Sequence, residues 1–258
     1  MGEGMFAFPI FFCSLFCLLL ATADAAYERS LFPHPPLDIL PRLTTNPATL
    51  GDIEHPCGGI GHERPFGLAA LSGHQLLLAT PLPARLVIGF GAARRGPVRH
   101  REYAIWTGLG RRLFSRLSLG VAAQGLTWSG PAGRGAIALA VSSGWHIELP
   151  GSWSLAGMIR PAVGSVPSRA FLSLTRHDTT GAIAGDLSSR SGRPLMPTLS
   201  MTARIQRRLS LAGEVHSLAQ SFGAGATLRQ PPLIIHIHAT THPELGLSPS
   251  GSVGRTCW

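Results

Sequence analysis

The sequence predicts an all-β chain: a transmembrane antiparallel β-barrel of about twelve strands, within a range of ten to fourteen, preceded by an irregular N-terminal plug segment. Three observations lead there. From His74 onward, short runs alternate bulky apolar residues with small ones and are separated by turn residues. The non-bulky face is Gly, Ala, Ser and Thr, and charged residues make up only 14% of the chain. No run in this region reaches the roughly eighteen uninterrupted apolar residues that a spanning helix needs. A soluble sandwich also alternates, but it turns long charged residues to water. A small polar face opposite a greasy one fits a barrel with lipid outside and a narrow lumen within.

Taken in order, residues 1–25 read as a signal peptide. An apolar run from Phe6 to Leu20 is followed by the small-residue pattern Ala23-Asp24-Ala25, which resembles a cleavage site. Glu3 stands where Lys or Arg is usual, so an uncleaved anchor is the alternative. Residues 26–73 are rich in Pro and Gly without sustained periodicity and are expected to form the irregular segment. Residues 74–258 are expected to form the barrel. At about ten residues per strand and five per connection they give roughly twelve strands.

The parity of the runs fixes which side chains share a face. In "GAIALAVSSGWHIE", Ile137, Leu139, Val141, Trp145 and Ile147 lie together, opposite Ala138, Ala140, Ser142, His146 and Glu148. The split recurs at Leu117, Leu119 and Val121, at Leu199 and Met201, and at Leu209, Leu211 and Val215. Arginine tests the assignment, because one facing lipid at mid-depth costs about 2–4 kcal/mol. Arg160, Arg204 and Arg229 all fall on the small polar face. Trp106, Trp128, Trp145, Trp153 and Trp258 sit near run ends and are expected to form an interfacial belt.

Positive charge comes from 22 arginines without a lysine, and the net charge of +9 rises to +11 once Glu3 and Asp24 leave with the signal. The arginines are scattered rather than gathered into an arm or helix face, which argues against a nucleic-acid partner. After cleavage only Cys57 and Cys257 remain, in a compartment where disulfides persist. They read either as a bridge closing nearly the whole mature chain or as two unrelated small hydrophobes.

Three stretches carry a family resemblance: "NPATL" at Asn46–Leu50, "RPFGLAALS" at Arg64–Ser72, and "HPELGLSPSGSVG" at His242–Gly254. On these, the chain from Asn46 to Trp258 resembles the outer-membrane barrels related to the FadL-type long-chain fatty-acid channel and the PorV-like proteins. The resemblance implies an inward-folded plug containing Asn46, Pro47 and Ala48. It also implies a last strand whose terminal aromatic, here Trp258, is read by the barrel-insertion machinery. The family barrel has fourteen strands in a longer chain that is richer in Tyr and Asn.

Candidate chemistry centres on "LIIHIHATTH", where His236, His238, Thr240 and His242 share the lumen face. His236, His238 and His242 are metal-ligand candidates, with Glu214 and His216 as neighbours on the same side, but imidazoles that simply line the lumen explain the pattern as well. No metal and no cofactor is expected. Glu148, Asp186 and Glu214 are expected to face Arg160, Arg204 and Arg229 in an ion-pair network, with His216 among the lumen polar groups. No Gly-x-Ser-x-Gly elbow occurs and Asn46 is the only asparagine, so an enzyme is not expected. The expected function is uptake or binding of hydrophobic or amphipathic molecules, with outer-membrane lipid around the barrel. Two alternatives stand beside it: an assembly or secretion partner that recruits an exported protein, and a soluble secreted β-domain.

Overall fold

The computed structural model describes residues 46–97, 101–129, 136–163, 166–216, 221–242 and 246–255. The expected signal peptide at 1–25, the rest of the chain before Asn46, Cys257 and Trp258 lie outside the described residues, as do the side chains of Trp128, Ile137 and His242.

Among the described residues, fourteen strands form one closed antiparallel barrel. They are β1 (Cys57–Glu63), β2 (Gly73–Leu82), β3 (Leu86–Arg95), β4 (Arg101–Phe114), β5 (Leu117–Ser129), β6 (Ala136–Leu149) and β7 (Trp153–Arg160). The second half is β8 (Arg169–His177), β9 (Gly181–Arg190), β10 (Met196–Arg204), β11 (Leu209–His216), β12 (Ser221–Gln230), β13 (Leu233–His242) and β14 (Gly246–Arg255). Each strand pairs with its sequence neighbour, and β1 pairs with β14 from Gly58↔Arg255 to Glu63↔Ser250. Closure leaves no edge whose backbone groups would go unpaired in lipid.

The count exceeds the expected twelve for a physical reason. β1 has the sequence CGGIGHE, with Ile60 as its one bulky residue, so its alternation is invisible and it was expected to be irregular. It becomes a strand because both of its edges are taken, by β2 and by β14. The barrel therefore starts at Cys57, not at His74. Connections at the end carrying Cys57 and Arg255 are only two to four residues long, which fits thirteen further strands into the rest of the chain. The opposite end carries the longer connections, up to the nine residues between β1 and β2. In one of the tight turns Gly151, at φ +76°, takes a left-handed backbone that a side chain would strain.

The register carries the predicted parity around the barrel. Leu119 lies opposite Trp145 and Leu211 opposite Ala226 on the outer face, while Ser118 lies opposite His146 and Gly120 opposite Gly144 on the inner one. Outer aliphatics are open to the surroundings, Leu139 at 65% and Ile60 at 63%. A soluble chain does not expose a continuous belt of this kind. Outward arginines such as Arg111, Arg176 and Arg255 stand at strand ends, where a charge can reach the interface.

Candidate functional site

Inside the barrel the two sides of the wall differ. On β3 to β6 the inner face is rich in glycine and alanine, and the 3-10 turn Pro47–Asp52 packs on it. Asn46 caps the turn by accepting a hydrogen bond from Ala48 N (3.0 Å), and its Nδ2 donates to the carbonyl of Trp145 on β6 (3.0 Å). Pro47 fits the first position, where a missing N–H is not needed. Asn46, Pro47, Ala48 and Leu50 are all buried.

The turn can approach this closely because the wall beneath it lacks side chains. A Cβ at Gly110 would lie 2.5 Å from Leu50 Cβ, and one at Gly89 would lie 2.7 Å from Leu50 Cδ2. At Gly120 it would strike the Pro47 carbonyl, and at Gly144 it would strike Asn46 Oδ1. Trp106 fills the floor beside Leu50 at 2% exposure, so it belongs to the lumen and not to the interfacial belt expected for it. Trp145 and Trp153 do face outward, and Arg176 lies 5.7 Å over the Trp153 ring.

The far end of the turn is held by charge. Ser118 Oγ donates to Asp52 Oδ1 (2.8 Å), and His146 Nδ1 meets Asp52 Oδ2 (2.8 Å). The serine hydroxyl engages the carboxylate and not the imidazole, so the trio anchors the turn to β5 and β6 and does not activate a nucleophile. Beside it Arg112 pairs with Glu148 (2.8 Å), and near the other end of the barrel Arg95 pairs with Glu63.

The opposite wall, on β10 to β13, is built from hydroxyls and imidazoles. Glu214, 5% exposed, sends one oxygen to within 3.3 Å of His216 Nε2 and 3.2 Å of His238 Nε2. It reaches β13 across β12 because position 223 is glycine; a Cβ there would strike Glu214 and His238. Thr198 Oγ1 lies 2.9 Å from His216 Nδ1, and Thr227 Oγ1 lies 2.8 Å from His236 Nδ1. The His236 and His238 rings stack at 6.1 Å.

Of the lumen residues expected from sequence, the structure groups Glu214, His216 and His238. Glu148 pairs with Arg112 instead of joining a network with Arg160, Arg204 and Arg229. Arg160 is buried and donates to Gln124 Oε1 (3.2 Å) and to the carbonyl of Pro167 (3.4 Å). Arg204 ends its strand exposed, and Arg229 and Asp186 are half-buried on the inner face. Among the described residues no group of three or more His, Cys, Asp or Glu side chains is arranged to hold a metal ion. Cys57 is disulfide-bonded, and its partner lies outside the described residues. Asp52, Ser118, Trp106 and Thr198 are not among the site residues expected from sequence, although Ser118 and Thr198 fall on the small polar face by parity. The one available signal was the Gly-x-Gly spacing in "IGFG" and "TGLG", which clears one face of two adjacent strands.

No family model and no curated protein matches this sequence. In fold, the chain is similar to the Ralstonia pickettii toluene transporter TbuX, with a TM-score of 0.61 and 8% identity over 83% of this chain and 92% of that one. It is also similar to the Pseudomonas putida toluene transporter TodX, with a TM-score of 0.57 and 11% identity over 82% and 91% of the two chains. The Acinetobacter baumannii outer membrane protein Omp33 matches with a TM-score of 0.54 and 7% identity over 80% and 99%. At these identities the likeness establishes the barrel fold.

Proposed function

We propose that this chain is an outer-membrane barrel of the FadL-type and PorV-like group it resembles, and that it admits hydrophobic or amphipathic molecules past an N-terminal plug. The observation that carries this reading is the turn Pro47–Asp52 seated on a glycine-cleared wall inside the barrel. A segment held by one cap, one carboxylate and one leucine socket closes a lumen yet can be released. The barrels of similar fold that are named toluene transporters support a hydrophobic cargo. In this reading residues 1–25 are removed on export, Trp258 addresses the chain to the insertion machinery, and outer-membrane lipid solvates the outward aliphatics.

Purified mature protein in liposomes tests it. Toluene-class and alkyl probes should enter faster than in protein-free vesicles, and a variant lacking residues 46–52 should pass them faster still. Equal rates in all three would overturn the reading. Cys257 is the proposed partner of Cys57, since Gly58 pairs with Arg255 at the seam where the barrel closes. Alkylation of the mature, unreduced protein should find no free thiol, and two modified cysteines would dismiss the bridge.

A further inference from the structure

We propose that the short-connection end of the barrel is girdled by arginines that hold the head groups of anionic phospholipids. Three of them face outward by register and are exposed at or near strand ends: Arg111, Arg176 and Arg255. Each has apolar neighbours on its own face. Arg111 lies opposite Leu86 and Leu119, Arg176 between Trp153 and Ile183, and Arg255 opposite Leu233. Leu119 is 41% exposed, Ile183 53% and Leu233 50%, so the arginines end rows that face lipid. In such a row the apolar stem lies along its neighbours while the charged head reaches for the polar layer. Arg176 shows the arrangement, with its guanidinium carbon 5.7 Å over the Trp153 ring, an aromatic of the kind that favours the interface.

Four more arginines, Arg85, Arg116, Arg207 and Arg208, are exposed in the connections at the same end. Taken in order around the barrel, consecutive members of the whole set are no more than four strands apart, or about 19 Å along the rim at about 4.8 Å per strand. This spacing decides between two partners. A docked protein covers one sector and is met by charge gathered there, whereas lipid surrounds a barrel on every side and is met by charge distributed all round.

The chain's own carboxylates do little to neutralise the ring. Among the described residues no ion pair involves Arg85, Arg111, Arg116, Arg207, Arg208 or Arg255. At this end Asp52 is held by Ser118 and His146, Glu148 by Arg112, and Asp178 turns Oδ1 onto Thr180 and Gly181 of its own turn. Glu54, before β1, is the remaining carboxylate of the described residues there. A lipid phosphate offers the oxygens that a guanidinium fork engages in pairs. One arginine near an anionic surface favours that lipid about fivefold locally. Averaged over all the lipid that touches the belt at both ends, a preference of about twofold or more is expected. The inference rests on the reading that this barrel sits in a bilayer and adds the head-group chemistry at one rim.

The mature protein in phosphatidylcholine vesicles tests it, with spin-labelled phosphatidylglycerol and spin-labelled phosphatidylcholine as trace probes. Paramagnetic resonance reads the share of each probe immobilised on the barrel. Phosphatidylglycerol should be held about twofold or more over phosphatidylcholine in dilute salt and near parity in about 1 M salt, where exposed charges are screened. Arg111→Gln, Arg176→Gln and Arg255→Gln together should remove at least about half of the excess, with heat-modifiable mobility confirming that the variant is folded. Arg204→Gln, at the same end but in the inward phase, should leave it unchanged. Equal retention of the two lipids in the wild type overturns the proposal, as does a preference untouched by both salt and the triple variant. An equal loss in Arg204→Gln would show net charge alone and overturns it too. Tight binding of poly-glutamate by a barrel without lipid preference would assign the ring to a protein partner instead. A chain that enters neither vesicle nor detergent micelle as a folded barrel fails the bilayer reading as well, whereas one that inserts and holds both lipids alike fails this inference only.

Discussion

The glycine-cleared wall on β3 to β6 and the hydroxyl–imidazole wall on β10 to β13 line the same lumen by opposite means. The first gives up its side chains so that another part of the chain can supply them: Leu50, Pro47 and Asn46 occupy the space that Gly89, Gly110, Gly120 and Gly144 leave. The second keeps its side chains and pairs several of them with one another, with Glu214 reaching over Gly223 to His238. In both, glycine marks a place where something must pass close to backbone. The first wall is thereby a docking surface for the turn Pro47–Asp52. The second presents its own polar side chains to the lumen.

Substitutions that disturb one wall and spare the other should separate these roles. The largest effect is expected for Trp106→Ala, which empties the floor beneath Leu50 and, at 2% exposure, should cost about 3–5 kcal/mol. Heat-modifiable gel mobility reads the loss, and liposome entry of a hydrophobic probe should rise in parallel. Gly120→Leu comes next. Its side chain takes the place of Pro47 and should cost about 2 kcal/mol by overpacking, while raising probe entry as deletion of the turn does. If entry stays at the wild-type rate while the midpoint falls, the groove is packing alone.

On the second wall, Glu214→Gln keeps the shape but gives up the charged partner of two imidazoles, at roughly 1 kcal/mol. Combined with Gly120→Leu its effect on the midpoint should add, because the walls share no partner among the described contacts. Non-additivity would show that the two sides are coupled. The smallest change belongs to neither wall. Asp178, in the exposed β8–β9 turn, accepts from the Thr180 hydroxyl and from Thr180 N and Gly181 N, which hold its carboxyl below the usual 3.8. Its folded value is depressed, so the stabilisation is present above pH 3.8 and is lost as pH falls through the folded value. A slight drop in midpoint for Asp178→Asn at pH 7 should therefore vanish in strong acid.

Leu139, Val141, Leu199 and Ile237 announced the outer face by alternation alone, because a strand's period of two is local. His236, His238 and Glu214 were placed in the lumen by the same parity. Trp106 was misplaced because an aromatic near a run end looks the same whether it faces lipid or lumen, and only its pairing with Gln124 and Gly91 separates the two. The meeting of Asp52 with His146, 94 residues away, left no local trace.

By itself, the sequence determined which side chains share a face and that the two faces need different surroundings, since backbone pleat and side-chain polarity are properties of each short run. Only the tertiary structure decided which runs are neighbours, at what register, and that the ring closes through a strand as featureless as β1. Those choices made the groove beneath Leu50 and the reach of Glu214. Each is a sum of contacts between segments whose relative position no single segment encodes.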